Sequence, residues 1–327
     1  MNIVLTGSIA FDYIMKFPGH FKDHILPDKL ECLSLSFLVE SLVRHRGGIA
    51  PNVAYTMALL GGRPRLFATA GEDFEEYRLW LESIGVDTTG VRVIPGEFTA
   101  SFFANTDLDN AQIASFYPGA MAFAGQLSLY DLPGEKPNLL LISPNDPQAM
   151  QRYVAECQEL GIPYIYDPSQ QIVRLDEEAL RRGVEGSLAL FVNQYEFCLI
   201  QTHTRLTPEE VLARTRFAVV TNGARGSDVY THAGEYHIPA IEPERMVDPT
   251  GVGDAFRGGF LAGFAHGWSP LVCGQMGSVA ASFCLEQQGP QAHIFTPAEF
   301  VARYRRYFDD QGQLDTLIPV EKLKPGR

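Results

Sequence analysis

The sequence predicts an α/β protein: a mainly parallel sheet covered by helices on both faces, with a small β-rich lid. Short apolar runs recur along the chain, helical patterns separate them, and two segments break the alternation. Strand alternating with helix favours parallel pairing, because each crossover helix returns the chain to the same edge of the sheet. The first run, residues 2–8, ends in Thr6-Gly7-Ser8 and reads as a buried strand entering a turn. Similar runs follow at Asn138–Ser143, Pro163–Asp167, Ala189–Asn193 and Phe217–Asn222, with helical patterns over Pro147–Leu160 and Pro208–Arg214. From Gly251 onward the pattern becomes long helices over Gly251–His266, Ser269–Glu286 and Pro297–Asp309, expected to cover the sheet. The exceptions are 14–45 and 91–120, where Thr99–Asn105 and Gln112–Phe116 read as arms of a hairpin across Thr106–Asn110. These two segments are assigned to the lid, and 1–13, 46–90 and 121–327 to the core domain.

Composition narrows the function classes. With 327 residues, 46% apolar and 20% charged, the chain can bury a sizeable core, which excludes a disordered tail or a disulfide-stapled miniprotein. A net charge of −13 opposes polyanions, so no nucleic-acid partner is expected. A small phosphate ligand remains allowed, since a helix N-terminus binds one without net positive charge. Five cysteines (Cys32, Cys157, Cys198, Cys273, Cys284), none in a C-x-x-C pair, read as packing residues of a reducing compartment. The start of the chain lacks the basic segment of a signal peptide, and no 18-residue apolar run exists, so no membrane partner and a cytoplasmic location are expected.

The most informative stretch is Asp248-Pro-Thr-Gly251-Val252-Gly253-Asp254, followed in helical register by Ala255–Leu261. A glycine-rich turn opening a helix lets backbone N–H groups approach an anion. Asp254 inside that turn stabilises a helix N-terminus in any case. Beside a phosphate in transit, however, a carboxylate makes sense as the acceptor of a hydroxyl proton. No P-loop, protein-kinase or His-Glu-x-x-His pattern competes with this reading. Upstream, Arg46-Gly47-Gly48-Ile-Ala-Pro51-Asn52 leads into an apolar helix. Gly-Gly before a helix is by itself a turn, but Asp12 and Asn52 together are polar groups able to hold adjacent sugar hydroxyls, or to cap a helix.

In this order, Gly7…Asp12, Gly47-Gly48-x-x-x-Asn52, Asn193-x-x-Glu196, Thr221-x-Gly223-x-x-Gly226 and Asp248-x-x-Gly251-x-Gly253-Asp254 resemble the PfkB, or ribokinase-like, carbohydrate kinases over nearly the whole chain. Several segments are similar to bacterial adenosine kinases within that superfamily: residues 34–40, His45-Arg-Gly-Gly, Asp109–Met121, Asp167-Pro-Ser-Gln-Gln171 and Asp248–Asp254. The resemblance implies a ribokinase-like fold and ATP-dependent phosphorylation of the adenosine 5′-hydroxyl to AMP, in purine salvage, with Mg²⁺ as cofactor; the alternatives are a ribokinase-like kinase for another nucleoside or a free sugar, and a non-catalytic nucleoside-binding protein. It implies Asp254 as base, with Gly251, Val252 and Gly253 supplying the anion hole. Asp12, Gly48 and Asn52 would hold the ribose, with Ser8 and Gly47 counted among the substrate-binding residues. Asn193 and Glu196 would organise Mg²⁺ and phosphates, Glu196 through water, while Thr221, Gly223 and Gly226 would line the ATP site. Pro249 and Val252 depart from the broader family pattern, and Pro51 stiffens the entry to its helix.

Base recognition is read from the residues themselves. Phe102 and Phe116, on the two hairpin arms, could sandwich a purine or pack within the lid. Gln170 and Gln171 lie just past the C-terminal end of a strand, where open α/β sheets bind ligands. His45 and Arg46 adjoin the glycines and could touch phosphate, but are expected on the surface, and Arg303–Arg306 as the solvated face of the last helix. The lid's exposed strand edges suggest a homodimer paired through it.

Overall fold

The computed structural model describes residues 1–25, 31 and 34–318. Among them the strands are β1 (Ile3–Thr6), β2 (Ala10–Lys16), β3 (Ser41–Gly47), β4 (Arg65–Ala70), β5 (Asp87–Val93), β6 (Ala100–Thr106), β7 (Gln112–Tyr117), β8 (Leu139–Ile142), β9 (Tyr164–Tyr166), β10 (Ala189–Asn193), β11 (Phe217–Thr221), β12 (Ser227–Thr231) and β13 (Gly234–Ile238). The helices are α1 (Ile49–Leu59), α2 (Glu75–Ser83), α3 (Pro147–Leu160), α4 (Glu177–Val184), α5 (Gln194–Thr204), α6 (Pro208–Leu212), α7 (Val252–Ala265), α8 (Pro270–Leu285) and α9 (Pro297–Tyr307).

Nine strands form one sheet in the order β13-β12-β11-β10-β9-β8-β1-β4-β5, parallel except at β12 and β13. β1, β8, β9, β10 and β11 read as nearly continuous apolar runs because both faces are covered. Ile3, Leu5, Phe191 and Val219 face one buried cluster with Val53 of α1 and Phe260 of α7. Their neighbours Val4, Leu190, Val192 and Val220 face another, with Tyr153 of α3 and Ile200 of α5. This is the mainly parallel, doubly covered α/β architecture expected from the sequence. Helix starts follow local chemistry: Asp146, with Pro147 after it, caps α3, while Asn193, Thr207 and Thr296 form capping boxes on α5, α6 and α9.

The smaller sheet has the order β3-β2-β6-β7, and β6–β7 is the hairpin expected from the sequence. The expected segment bounds cut through strands rather than loops. Small-sheet pairing already begins at Ala10 and continues to Gly47, while Val91 and Val93 pair with β4 in the large sheet. The chain passes from β1 to β2 within three residues and from β3 almost directly into α1, so no change of composition marks these crossings.

Cys157, Cys273 and Cys284 are buried, as expected of packing residues. Cys198 is exposed instead, because α5 turns Phe197 and Ile200 toward the sheet. Cys32 lies outside the described residues. No helix among the described residues is long and apolar enough to cross a membrane.

Candidate active site

The turn at Pro249–Gly253 owes its shape to Gly251. Its φ of +78° is left-handed, and a Cβ there would stand 2.3 Å from Cβ of Pro290, so a side chain meets both strain and a wall. Gly251 is the N-terminal cap residue of α7 and has no side chain to offer the first N–H groups of the helix, of which that of Val252 makes only a long contact of 3.4 Å to the Pro249 carbonyl. Among the described hydrogen bonds, none is donated by the N–H of Gly251 or Gly253. They form, with the positive end of α7, a site suited to an anion.

Asp254 sits in the first turn of α7 but does not cap it. Its Oδ2 instead accepts a hydrogen bond of 2.8 Å from Nδ2 of Asn52 on α1. Burial pushes its pKa up to about 6, against the pull of Arg257 and the Asn52 hydrogen bond, and Asp12 across the cleft adds to the rise. Burial lifts Asp12 to about 6 as well. Two carboxylates of weakened acidity thus lie close enough to influence one another near a helix end suited to an anion. That pairing suits proton exchange with a hydroxyl better than a structural cap.

Gly47 and Gly48 let the two layers close. A Cβ on Gly47 would stand 2.6 Å from Oδ2 of Asp12, and one on Gly48 would stand 2.4 Å from the Ser8 carbonyl oxygen. Ser8 braces that turn: its N–H donates to the Pro144 carbonyl at 2.9 Å, and its Oγ accepts from the Ile49 N–H at 3.4 Å.

Strand register brings the aromatic pair into line with Asp12. Asp12 lies opposite His45 on β3 and Phe102 on β6, and Phe102 lies opposite Phe116 on β7, so all four share one face of the small sheet. Phe116 is 51% exposed. Among the described residues neither ring stacks on another aromatic, whereas Tyr13 and Phe103 on the opposite face stack 4.9 Å apart.

Asn193 and Thr221 pair in register at the C-terminal ends of β10 and β11. The Asn193 N–H donates to Oε2 of Glu196 at 2.7 Å, and the Glu196 N–H donates back to Oδ1 of Asn193 at 2.8 Å. The second carboxylate oxygen of Glu196 accepts from the Ser169 hydroxyl at 2.9 Å. Each oxygen therefore keeps a lone pair, which fits contact with a hydrated divalent cation. Gly223 and Gly226 form the turn after β11. Of the two glutamines, Gln170 is exposed, while Gln171 is buried and accepts from Arg174 at 3.3 Å.

Sequence reasoning assigned no role to Arg257, Asp167 or Gln291. Arg257, one turn beyond Asp254 on the same face of α7, grips Asp167 through Nε and, at 2.8 Å, through Nη2. Burial opposes its charge, but the Asp167 carboxylate outweighs it and raises the Arg257 pKa. The i, i+3 spacing was the available signal. Gln291 carried none, because it reaches the site from a loop 239 residues beyond Asn52. Two expectations for basic residues change. Arg303 is not solvated: it pairs with Glu286 and lies 3.5 Å over the Phe283 ring, because α9 packs that side chain against α8. Arg46 is partly covered, between Glu76 and the Trp80 ring.

Comparison with known proteins identifies relatives of this chain. Residues 4–297 match the family model described as pfkB family carbohydrate kinase. A nucleoside kinase of Methanothermobacter thermautotrophicus is 31% identical over 306 residues, covering 93% of this chain and 95% of the relative. The structure of Burkholderia thailandensis nucleoside kinase in complex with inosine aligns with a TM-score of 0.84 at 36% identity, covering 94% of this chain and 97% of that one. The same kinase in complex with ADP-inosine aligns with a TM-score of 0.81 at 37% identity, covering 94% and 96%.

Proposed function

The chain belongs to the pfkB family of carbohydrate kinases, and from that premise we propose that it transfers the γ-phosphoryl group of ATP to the 5′-hydroxyl of purine nucleosides, adenosine among them. The observation that carries the reading is Asp254: a carboxylate with a pKa near 6, held by Asn52 at the open N-terminus of α7 and opposite Asp12. Asp254 takes the proton of the acceptor hydroxyl as the new P–O bond forms and the bond to the ADP leaving group breaks. Charge on the transferring group falls on the N–H groups of Gly251, Val252 and Gly253 and the dipole of α7. Mg²⁺ bound with the nucleotide would neutralise phosphate charge, and Glu196, with Asn193, would hold it through water. Thr221, Gly223 and Gly226 line the nucleotide.

On the acceptor side, Asp12 and Asn52 take the ribose hydroxyls, with Gly47, Gly48 and Ser8 shaping the floor. The unstacked faces of Phe102 and Phe116, in register with Asp12, support a planar base between them. The inosine complexes of the Burkholderia relative support a purine acceptor, and its broader name extends the panel to be tested beyond adenosine. The opposite face of the small sheet exposes Leu42, Phe103, Ile113 and Tyr117, which supports a homodimer through the lid.

The experiment is product formation from ATP and Mg²⁺ with adenosine, inosine, guanosine, cytidine, ribose and fructose. Transfer to purine nucleosides, with kcat falling about 10²- to 10⁴-fold in Asp254→Asn while nucleoside binding persists, is the expected result. Preference for a free sugar would overturn the acceptor assignment, and a variant keeping half of wild-type kcat would remove Asp254 from the chemistry.

A further inference from the structure

Behind Asn52 lies a run of hydrogen bonds with a single direction. Trp80 Nε1 lies 3.4 Å from Oε1 of Gln291, whose Nε2 donates to Oδ1 of Asn52 at 2.9 Å and to the Tyr77 hydroxyl. Asn52 in turn donates through Nδ2 to Asp254. Two independent features set the sense of this run. An indole N–H can only donate, so Oε1 of Gln291 must face Trp80. The one proton of Tyr77 goes to the Gly47 carbonyl at 3.0 Å, so its oxygen can only accept from Gln291. Tyr77 is fully buried, and burial raises its pKa, so it stays a neutral hydroxyl. With Nε2 of Gln291 fixed toward Asn52, the Asn52 amide has one orientation left: oxygen to Gln291, nitrogen to Asp254.

We propose that Gln291 is a positioning residue of the transfer site, committing Asn52 to donate to Oδ2 of Asp254 and leaving Oδ1 to take the acceptor proton. Without that constraint Asn52 can turn its carbonyl oxygen toward the carboxylate, which repels the ionised form. The inference rests on the proposed role of Asp254 but concerns a residue outside the motifs. Gln291 is half-buried, and its solvent side opens on a cavity of about 270 Å³ shared with Arg44, Arg46 and Glu76, so replacing it need not disturb the core. The charged and titratable groups around Asp254 are Asp12 on β2, Arg257 on α7, Asp167 after β9 and Cys284 on α8, with Glu196 on α5 facing Arg257 and Asp167. None of them touches Gln291 in the described contacts, so a shift caused by the substitution is traced through Asn52.

The test is a carboxyl ¹³C NMR titration of Asp254 in the substrate-free protein, its signal assigned by loss in Asp254→Asn, for wild type, Gln291→Met, Asn52→Ala and the double variant. Loss of a hydrogen bond to the charged form raises the Asp254 midpoint in Gln291→Met by about one pH unit. With Asn52→Ala already present, Gln291→Met adds nothing, because the path is gone. In turnover, the acid limb of the kcat profile moves up equally, a loss of about tenfold at pH 5.5 that vanishes above pH 8, with KM for ATP unchanged. Trp80→Phe tests the same run from its far end, with a smaller shift of the same sign, should Gln291→Met fold poorly. An Asp254 midpoint unmoved in both variants, or moved equally in the Asn52→Ala background, overturns the proposal. The titration needs no substrate, so a wild type inactive on every nucleoside defeats the functional reading separately.

Discussion

Replacing Arg257 by methionine removes a buried cation from a cleft that holds Asp12, Asp167, Glu196 and Asp254. The side chains of Arg257 and Asp167 are 11% and 1% exposed, so solvent screens their two-pronged contact little. Breaking such a pair from one side leaves an uncompensated buried charge, at a cost of about 3–5 kcal/mol. At about 2 °C per kcal/mol, the fall in Tm at pH 8 is about 6–10 °C. The sign with pH follows from Asp167. Burial already raises the Asp167 carboxyl to about 6 against the pull of Arg257, and removing that cation lifts its folded pKa further above the unfolded value. Such a group favours folding at low pH, and that contribution is lost as pH rises through the folded pKa. The variant therefore regains stability relative to wild type between pH 8 and pH 5. Calorimetric or urea unfolding at both pH values measures the difference. A loss below about 1 kcal/mol, or one that is the same at both pH values, refutes the assignment of Arg257 as the charge that keeps this cleft folded.

Gly251→Ala places a methyl group 2.3 Å from Pro290 at a left-handed φ, so kcat should fall about 10²-fold through a displaced anion hole while the lid pocket keeps its nucleoside affinity. Steady-state kinetics beside equilibrium nucleoside binding distinguishes this from general unfolding. Phe102→Ala should weaken nucleoside binding about 5- to 100-fold, the worth of one base–aromatic contact, and leave ATP nearly unaffected. Equal losses for both ligands would point to a misfolded lid. Ile113→Asp, on the exposed outer face of the small sheet, should leave kcat unchanged and convert a sedimenting dimer to a monomer at micromolar concentration. A wild type that already sediments as a monomer removes the lid dimer.

β1, β8, β9, β10 and β11 were readable because strands covered on both faces read as apolar runs, whereas β4, buried throughout but carrying Arg65 and Thr69, was not anticipated. Ala189–Asn193 and Pro147–Leu160 came out with the bounds expected of them. β5 was harder, since Asp87-Thr-Thr-Gly opens it with polar residues at the sheet edge. Among site residues, those with a local signature were legible: glycines whose missing Cβ admits Asp12 or Pro290, and an acid in the first turn of a helix. The supports of those residues were not. Gln291 and Trp80 act on Asn52 across 239 and 28 positions, and nothing in the composition around them distinguishes a hydrogen-bond relay from an ordinary loop and helix. A motif records where a backbone must approach a ligand, because that need restricts residue type at fixed spacing. The orientation of an amide is set by whichever donors the fold brings behind it, and contact order hides that information from any local pattern. The relay behind Asn52 is thus the part of the site for which coordinates were necessary, and the part where substitution tests the chemistry without touching a motif.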